Sequence, residues 1–296
     1  MSTVNELLGC RYPIIQGAMG IICNPELVAA VSEAGGFGLL ATIYATDPET
    51  VRKQVQATKK LTDKPFGANL FAGNPLTQQL PKVLAEEGLK AVTVSGGSPK
   101  ELISLSHELG IKVLVVVPTV DMARKSEAAH ADGIVAEGSE SGGMQGLRGA
   151  STMVLVPAVA DAVKIPVIAA GGIGDSRGYQ AALALGAEGV QVGTRFIATK
   201  ECIAHPNFKG TIVGSAETGT ELVNMGRFRI RALGTPLVER IVQGEMSAAE
   251  HFSGSAVQDS WIGGDLAAGI LPSGQVSGLI SNIPSVREVI QEMVGH

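Results

Sequence analysis

"IPVIAAGGIGDSRGYQAALALGAEGVQVGTRF", residues 165–196, holds two apolar runs, each ending in glycine, on either side of a helical stretch. "PVIAA" is too short and too uniformly apolar for an amphipathic helix, and the Gly171-Gly172 pair stops it. It reads as a strand buried on both faces. "SRGYQAALAL" follows with apolar residues at helical spacing and ends at Gly186, after which "GVQV" repeats the strand pattern. A strand, a glycine turn, a helix and a second strand make one right-handed parallel unit.

The same unit recurs along the chain. Strands are expected at "YPIIQGAM", "GFGLLATI", "PFGANLF", "KAVTVSGG", "KVLVVVPT" and "DGIVAEGS", ahead of the two already quoted. Helical stretches such as "PELVAAVSEAG", "PETVRKQVQATKKLTD" and "PKELISLSHELG" lie between them, many opening at Pro, Asp or Ser and closing at Gly. Eight alternations predict an α/β protein with the (β/α)8 TIM-barrel fold and a site at the C-terminal strand ends. A doubly wound sheet is the alternative. The glycine or polar group at nearly every strand end favours the barrel. After Phe196 the pattern changes, which predicts a small, mostly helical cap inserted after the eighth strand. Residues 1–199 and 276–296 then form the barrel and residues 200–275 the cap.

Composition sets limits. Apolar residues make up 45% of 296 and charged residues 17%, enough for a large buried core. A net charge of -5 supplies no basic footprint for nucleic acid or an anionic membrane. Three cysteines without CxxC spacing argue against a disulfide framework and against a zinc site. No apolar run approaches the roughly 20 residues that span a bilayer, and the start of the chain carries no signal-peptide pattern. The expected setting is cytoplasmic: a homodimer acting on a small molecule, with no metal, nucleic-acid or membrane partner.

The strand ends name the chemistry. Gly171, Gly172 and Gly174 follow the seventh strand, and Gly193 and Thr194 follow the eighth. Free amides from these two loops converge where a barrel binds phosphate. "QGAM" after strand one, with Gly17, Ala18 and Met19, is small enough for a flat ring to lie against its backbone. Asn69, ending strand three, either bonds a heterocycle edge or caps the following turn. No GxGxxG motif opens strand one, so a Rossmann site is unsupported.

At these residues the chain resembles the nitronate monooxygenase family, formerly called 2-nitropropane dioxygenases, and its relative the flavin-dependent enoyl-ACP reductase. The matching stretches are "PIIQGAMG", "ELVAAVSEAGGFGLLA", "KPFGANL", "AEGSESGG", "PVIAAGGIGDSRG", "ALALGAEGVQVGTRF" and "SGQVSGLI", from Arg11 to Ile280. The resemblance implies a barrel holding FMN under a small cap. It places Gly17, Ala18 and Met19 against the flavin ring, Asn69 at its edge, and Glu137 and Gly142 in the ring or ribityl environment. Gly172, Gly174, Gln191, Gly193 and Thr194 would hold the ribityl chain and phosphate, with Gln275 closing the site beneath the cap.

One position departs from the pattern. The family motif E-[SA]-G-G-H ends in a histidine that serves as acid or base, whereas this chain reads Glu140-Ser141-Gly142-Gly143-Met144. Methionine fills the imidazole's space but moves no proton. Loss of a positioned acid or base costs roughly 10²–10⁴-fold where the reaction needs one. A preformed nitronate needs none, because it is already the anion. Oxidation of alkyl nitronates by oxygen is therefore the first reading. NAD(P)H-dependent reduction of an enoyl thioester or a quinone is the second, and a flavin-binding protein without catalysis the third. His107 and His130 are expected on outer helices, His205 and His251 on the surface of the cap, and His296 at the terminus. Cys23 is read as a packing thiol.

Overall fold

A computed structural model describes residues 3–295; His296 lies outside the described residues. Its strands are β1 (Ile14–Gln16), β2 (Gly38–Ala41), β3 (Phe66–Phe71), β4 (Ala91–Ser95), β5 (Lys112–Val117), β6 (Gly133–Glu137), β7 (Gly143–Gln145), β8 (Val167–Ala170), β9 (Gly189–Val192), β10 (Thr220–Asn224) and β11 (Arg229–Leu233). Eight of them run parallel in the order β1-β9-β8-β6-β5-β4-β3-β2. The sheet closes where Ile15 bridges Phe37. There the Gln16 N–H donates to Phe37 O at 2.9 Å and the Phe37 N–H to Ile14 O at 2.9 Å. That closure makes the TIM barrel and excludes the open doubly wound sheet.

Both faces of the eight barrel strands are largely buried, which is why these strands read as unbroken apolar runs. Ile14, Val113, Ile134 and Val167 face outward into the layer beneath the helices. Their neighbours Ile15, Leu114, Val135 and Ile168 face the barrel interior. The bottom of that interior is plugged by the helix Val4–Leu8, whose Val4 and Leu8 join the same cluster. Thr3 and Glu6 form a reciprocal capping box at its start, and Gly9 ends it in the left-handed region. Burying two such side chains contributes about 1.5–3 kcal/mol each. The C-terminal helix Val286–Val294 packs on the helices Pro25–Glu33 and Ser176–Ala184, burying Val286, Val289, Ile290 and Met293. It completes the outer ring.

The segment from 200 to 275 contains the helices Pro206–Val213 and Pro236–Val242 and a π-helical turn at Gln258–Ile262. It also holds an antiparallel hairpin, β10 with β11, which the helical reading did not anticipate. The hairpin turns at Gly226, whose φ is +85°. A third strand, β7, joins from the loop after β6 and pairs with β11 through Met144 and Ile230. Val223, Ile230, Ala232, Leu237, Val238 and Ile270 form a separate small core there. No helix among the described residues is long and apolar enough to cross a membrane.

Close approach of helix to strand is tested at Gly38. A Cβ there would lie 2.4 Å from Val28 O and 2.8 Å from Val28 Cγ1, and a backbone oxygen cannot swing aside. Gly38→Ala is expected to destabilise by at least about 1–3 kcal/mol in urea or thermal unfolding. Gly210, inside the helix Pro206–Val213 with no neighbour within 4 Å of its Cβ position, is the matched control. Gly210→Ala is expected to gain about 0.5–1 kcal/mol.

Candidate active site

A cavity of about 890 Å³ opens at the C-terminal ends of the barrel strands, beneath the residues that follow Phe196. Gly17, Ala18 and Met19 line it from the end of β1. Gly17 is anchored by its N–H donating to Val192 O at 2.9 Å, and Met19 by its N–H donating to Cys23 Sγ at 2.8 Å. Burial pushes the Cys23 thiol up to about 12. It stays a neutral acceptor, in keeping with a packing role.

Asn69 lines the cavity from β3. Its amide does not cap the next turn; Asn74 does that, accepting from Leu76 N at 2.9 Å. Asn69 instead reaches across to β4. Its Nδ2 donates to Thr93 Oγ1 at 2.9 Å, and Ser95 Oγ donates to its Oδ1 at 3.2 Å. This brace fixes the amide plane and leaves one N–H free towards the cavity.

The segment after β6 is bound on three sides. Glu140 Oε2 accepts from Thr152 N at 2.7 Å and Thr152 Oγ1 at 3.0 Å, which commits its carboxylate to the start of the helix Thr152–Ala160. Gly142 touches the cavity but is kept small by the chain behind it, since a Cβ would lie 2.6 Å from Gly274 N. Met144 lines the cavity and contributes its backbone to the small sheet. Glu137, at the end of β6, lines it as well. Enclosure raises the Glu137 carboxyl to about 7, with the Ser141 hydroxyl pulling weakly the other way. Its remaining exposure is to the cavity.

Beyond β8, Gly171 and Gly172 both have positive φ, +97° and +74°, and both line the cavity. Gly174 does not. A Cβ there would meet Val276 Cγ2 at 2.6 Å, so its smallness serves packing. The amides at the start of the helix Ser176–Ala184 are also spoken for. Asp175 accepts from Arg177 N at 3.0 Å and Gly178 N at 3.2 Å. Asp175 therefore occupies the start of that helix, whereas the cavity wall is formed by the glycine pair and by the start of the short helix Thr194–Ile197.

After β9, Gln191, Gly193 and Thr194 all line the cavity. Gln191 Oε1 is buried and has no hydrogen-bond donor within the protein. Thr194 Oγ1 accepts from Gly274 N at 2.9 Å, leaving its own hydrogen to donate elsewhere. A Cβ built on Gly193 would touch only the flexible Met19 side chain, with Sδ 3.7 Å away. Gln275 is exposed and outside the cavity wall; its neighbours Gly274 and Val276 line it instead.

Sequence reasoning missed the roof. Trp261, from the π-helical turn, meets Tyr44 edge-on at 6.5 Å and packs against Phe208 and Phe252 at 6.3 Å each. All four rings line the cavity. The signal was the chain's single tryptophan beside a glycine pair in "WIGGD". No described histidine reaches this wall. His107 pairs with Asp132 at 2.7 Å on the outside and His130 follows an outer helix. The His205 ring accepts from Asn207 N at 3.1 Å, and His251 Nδ1 donates to Ala268 O at 3.0 Å.

Comparison with known proteins assigns this architecture. A family model for nitronate monooxygenase matches residues 1–82 and 73–296. The structure of FabK from Thermotoga maritima superposes with a TM-score of 0.92 at 40% identity, covering 100% of this chain and 96% of that one. A probable nitronate monooxygenase of Staphylococcus saprophyticus is 33% identical, over 75% of each chain. A carboxyl-CoA dehydrogenase of Rhodococcus jostii, named for a hydroxy-methyl-oxo-octahydroindene substrate, is 31% identical across 99% of this chain and 94% of its own. The chain belongs to the nitronate monooxygenase family of oxidoreductases.

Proposed function

We propose that the chain is an FMN-dependent enzyme that oxidises alkyl nitronates with oxygen. The observation that carries the reading is the pairing of open amide loops at Gly171-Gly172 and Gly193-Thr194 with a buried, unpartnered Gln191 oxygen on the same wall. The loops suit a single phosphate and the orphan acceptor suits a donor on a polar ring. Gly17, Ala18 and Met19 would offer a flat backbone surface to that ring, and Asn69 its free N–H. When bound, FMN would supply the redox ring that accepts the substrate's electrons.

The chain's own residues then do the rest. The aromatic roof from Tyr44 to Trp261 would offer an apolar seat for a substrate's carbon skeleton. Met144 fills part of the wall without moving a proton. Residues 1–199 and 276–296 would act as the cofactor-holding barrel and residues 200–275 as the substrate-facing cap, in a cytoplasmic homodimer.

The likeness to FabK at 40% identity favours one further reading, reduction of an enoyl thioester or quinone with NADH or NADPH as donor. Anaerobic mixing of the purified yellow protein with a nitronate, with NADH and with NADPH separates the two. Bleaching by nitronate alone supports the oxidase, whereas bleaching by a nicotinamide alone supports the reductase. If no donor bleaches the flavin, the protein binds it without catalysis.

The phosphate cradle is tested by Gly193→Val. Gly193 has a φ of −108°, outside the left-handed region, and its Cβ would meet only the flexible Met19 side chain, at 3.7 Å. The variant is expected to fold normally yet lose FMN at least about tenfold, ~1.4 kcal/mol. Stoichiometric FMN at native affinity would place the phosphate elsewhere. The missing histidine is tested at pH 6, where Glu137 holds its proton. There the native protein should oxidise preformed nitronates much faster than neutral nitroalkanes. Met144→His should raise the nitroalkane rate relative to the nitronate rate, by up to roughly 10²–10⁴-fold. An unchanged ratio would deny position 144 any part in proton transfer.

A further inference from the structure

With the family's histidine replaced, one group on the cavity wall can still exchange a proton with a substrate. Four other titratable side chains line the chamber: Tyr44, Glu140, Arg148 and Arg227. Glu140 is tied to Thr152 by two hydrogen bonds. Tyr44 is raised further by burial and stays protonated, and the arginines cannot act as bases near neutrality. Cys23 is fully enclosed behind Met19. Glu137 differs from all of these. It ends β6, its register partner on β8 is Ala170, and Pro118 follows β5 beside it, so neither flanking strand offers it a charge. It makes no ion pair with any described residue. Glu137 lines the same cavity as Met144.

We propose that Glu137 takes the α-proton from neutral nitroalkanes in this chain. The proposal rests on the nitronate-oxidising reading and extends it to the step before oxidation. In that step the α C–H bond breaks, its electron pair stays on the substrate as the nitronate, and the proton ends on a Glu137 carboxyl oxygen. No electrons leave the substrate at this stage, so neither oxygen nor a nicotinamide is required.

The carboxyl's environment sets the pH range. Burial places its titration at about 7, so it is a carboxylate, and a base, above that pH and neutral below. The same shift reads out in stability. An unfolded glutamate releases its proton near 4.5, so between about 4.5 and 7 the folded chain binds the extra proton and stability falls as pH rises. Glu137→Gln should abolish this fall. The variant should therefore gain on the native protein at pH 8 relative to pH 5, with no turnover involved.

The deciding measurement is exchange of nitroalkane α-hydrogen for solvent deuterium, followed by NMR under anaerobic conditions with FMN content verified. The native protein is expected to catalyse exchange with a rate that rises through about pH 7 and then levels. Glu137→Gln should lose roughly 10²–10⁴-fold. Glu137→Asp should restore part of the rate with a displaced midpoint. If folded, FMN-loaded Glu137→Gln exchanges as fast as the native protein, or the stability difference between pH 5 and pH 8 is unchanged, Glu137 is not the base. A native protein that exchanges the α-hydrogen but fails to oxidise preformed nitronate would instead overturn the oxidase reading and leave the proton-transfer assignment standing.

Discussion

The segment Gly138–Gly146 is the joint on which the site depends, because its backbone satisfies the barrel and the cap together. Its far end pairs with β11, Gly143 facing Arg231 and Met144 facing Ile230. Its middle accepts the Gln275 N–H on Glu140 O at 2.9 Å and lies against Gly274. Gly274 in turn donates to Thr194, at the start of the short helix after β9. One chain of contacts, main-chain except for the Thr194 hydroxyl, therefore links the loop after β6, the stretch at Gly274 and the loop after β9. The open amide loops cannot shift without disturbing the roof.

Buried polar groups reinforce that joint. The Arg231 guanidinium donates to Ser139 O at 2.9 Å and to Thr220 Oγ1 at 3.1 Å, spanning from the barrel loop to β10. Burial lowers its pKa, opposed by the Glu140 charge, and arginine remains a cation throughout the neutral range. A buried cation is tolerable only where acceptors surround it, so this arginine fixes the position of Ser139 as firmly as the hydrophobic contacts do. Glu140 sits between two demands, the helix start at Thr152 and the field of Arg231. That explains an acid in this loop.

How much of this was legible in the sequence follows from the physics of each signal. The barrel was legible because strands buried on both faces leave an apolar run with a glycine stop, and each unit repeats it. The hairpin of β10 and β11 was not. It is half-exposed, its alternation is diluted by charged residues, and its third partner comes from a distant loop. Glycines carried an ambiguity that composition alone does not resolve. A Cβ on Gly172 or Gly193 would make only ordinary contacts, with Glu140 and Met19, whereas Gly142 and Gly174 are small because Gly274 and Val276 lie behind them. For Asn69 the sequence left a heterocycle contact and a turn cap open, because its partners, Thr93 and Ser95, lie on a neighbouring strand, beyond any local pattern.

Position 144 shows why a motif can lose its reactive group and keep its geometry. What places that residue is a ladder of main-chain hydrogen bonds to β11, and these ignore the side chain. A methionine there costs the fold little, since an unbranched thioether adapts to a half-exposed wall. The electrostatic consequence falls on the neighbouring groups. An imidazolium facing the same chamber would favour the charged form of a nearby carboxylate and draw its titration down. With a neutral thioether instead, nothing charged offsets the enclosure of Glu137, and burial leaves its proton held to near neutrality. Removing one proton carrier from such a wall thus changes the working range of the one that remains.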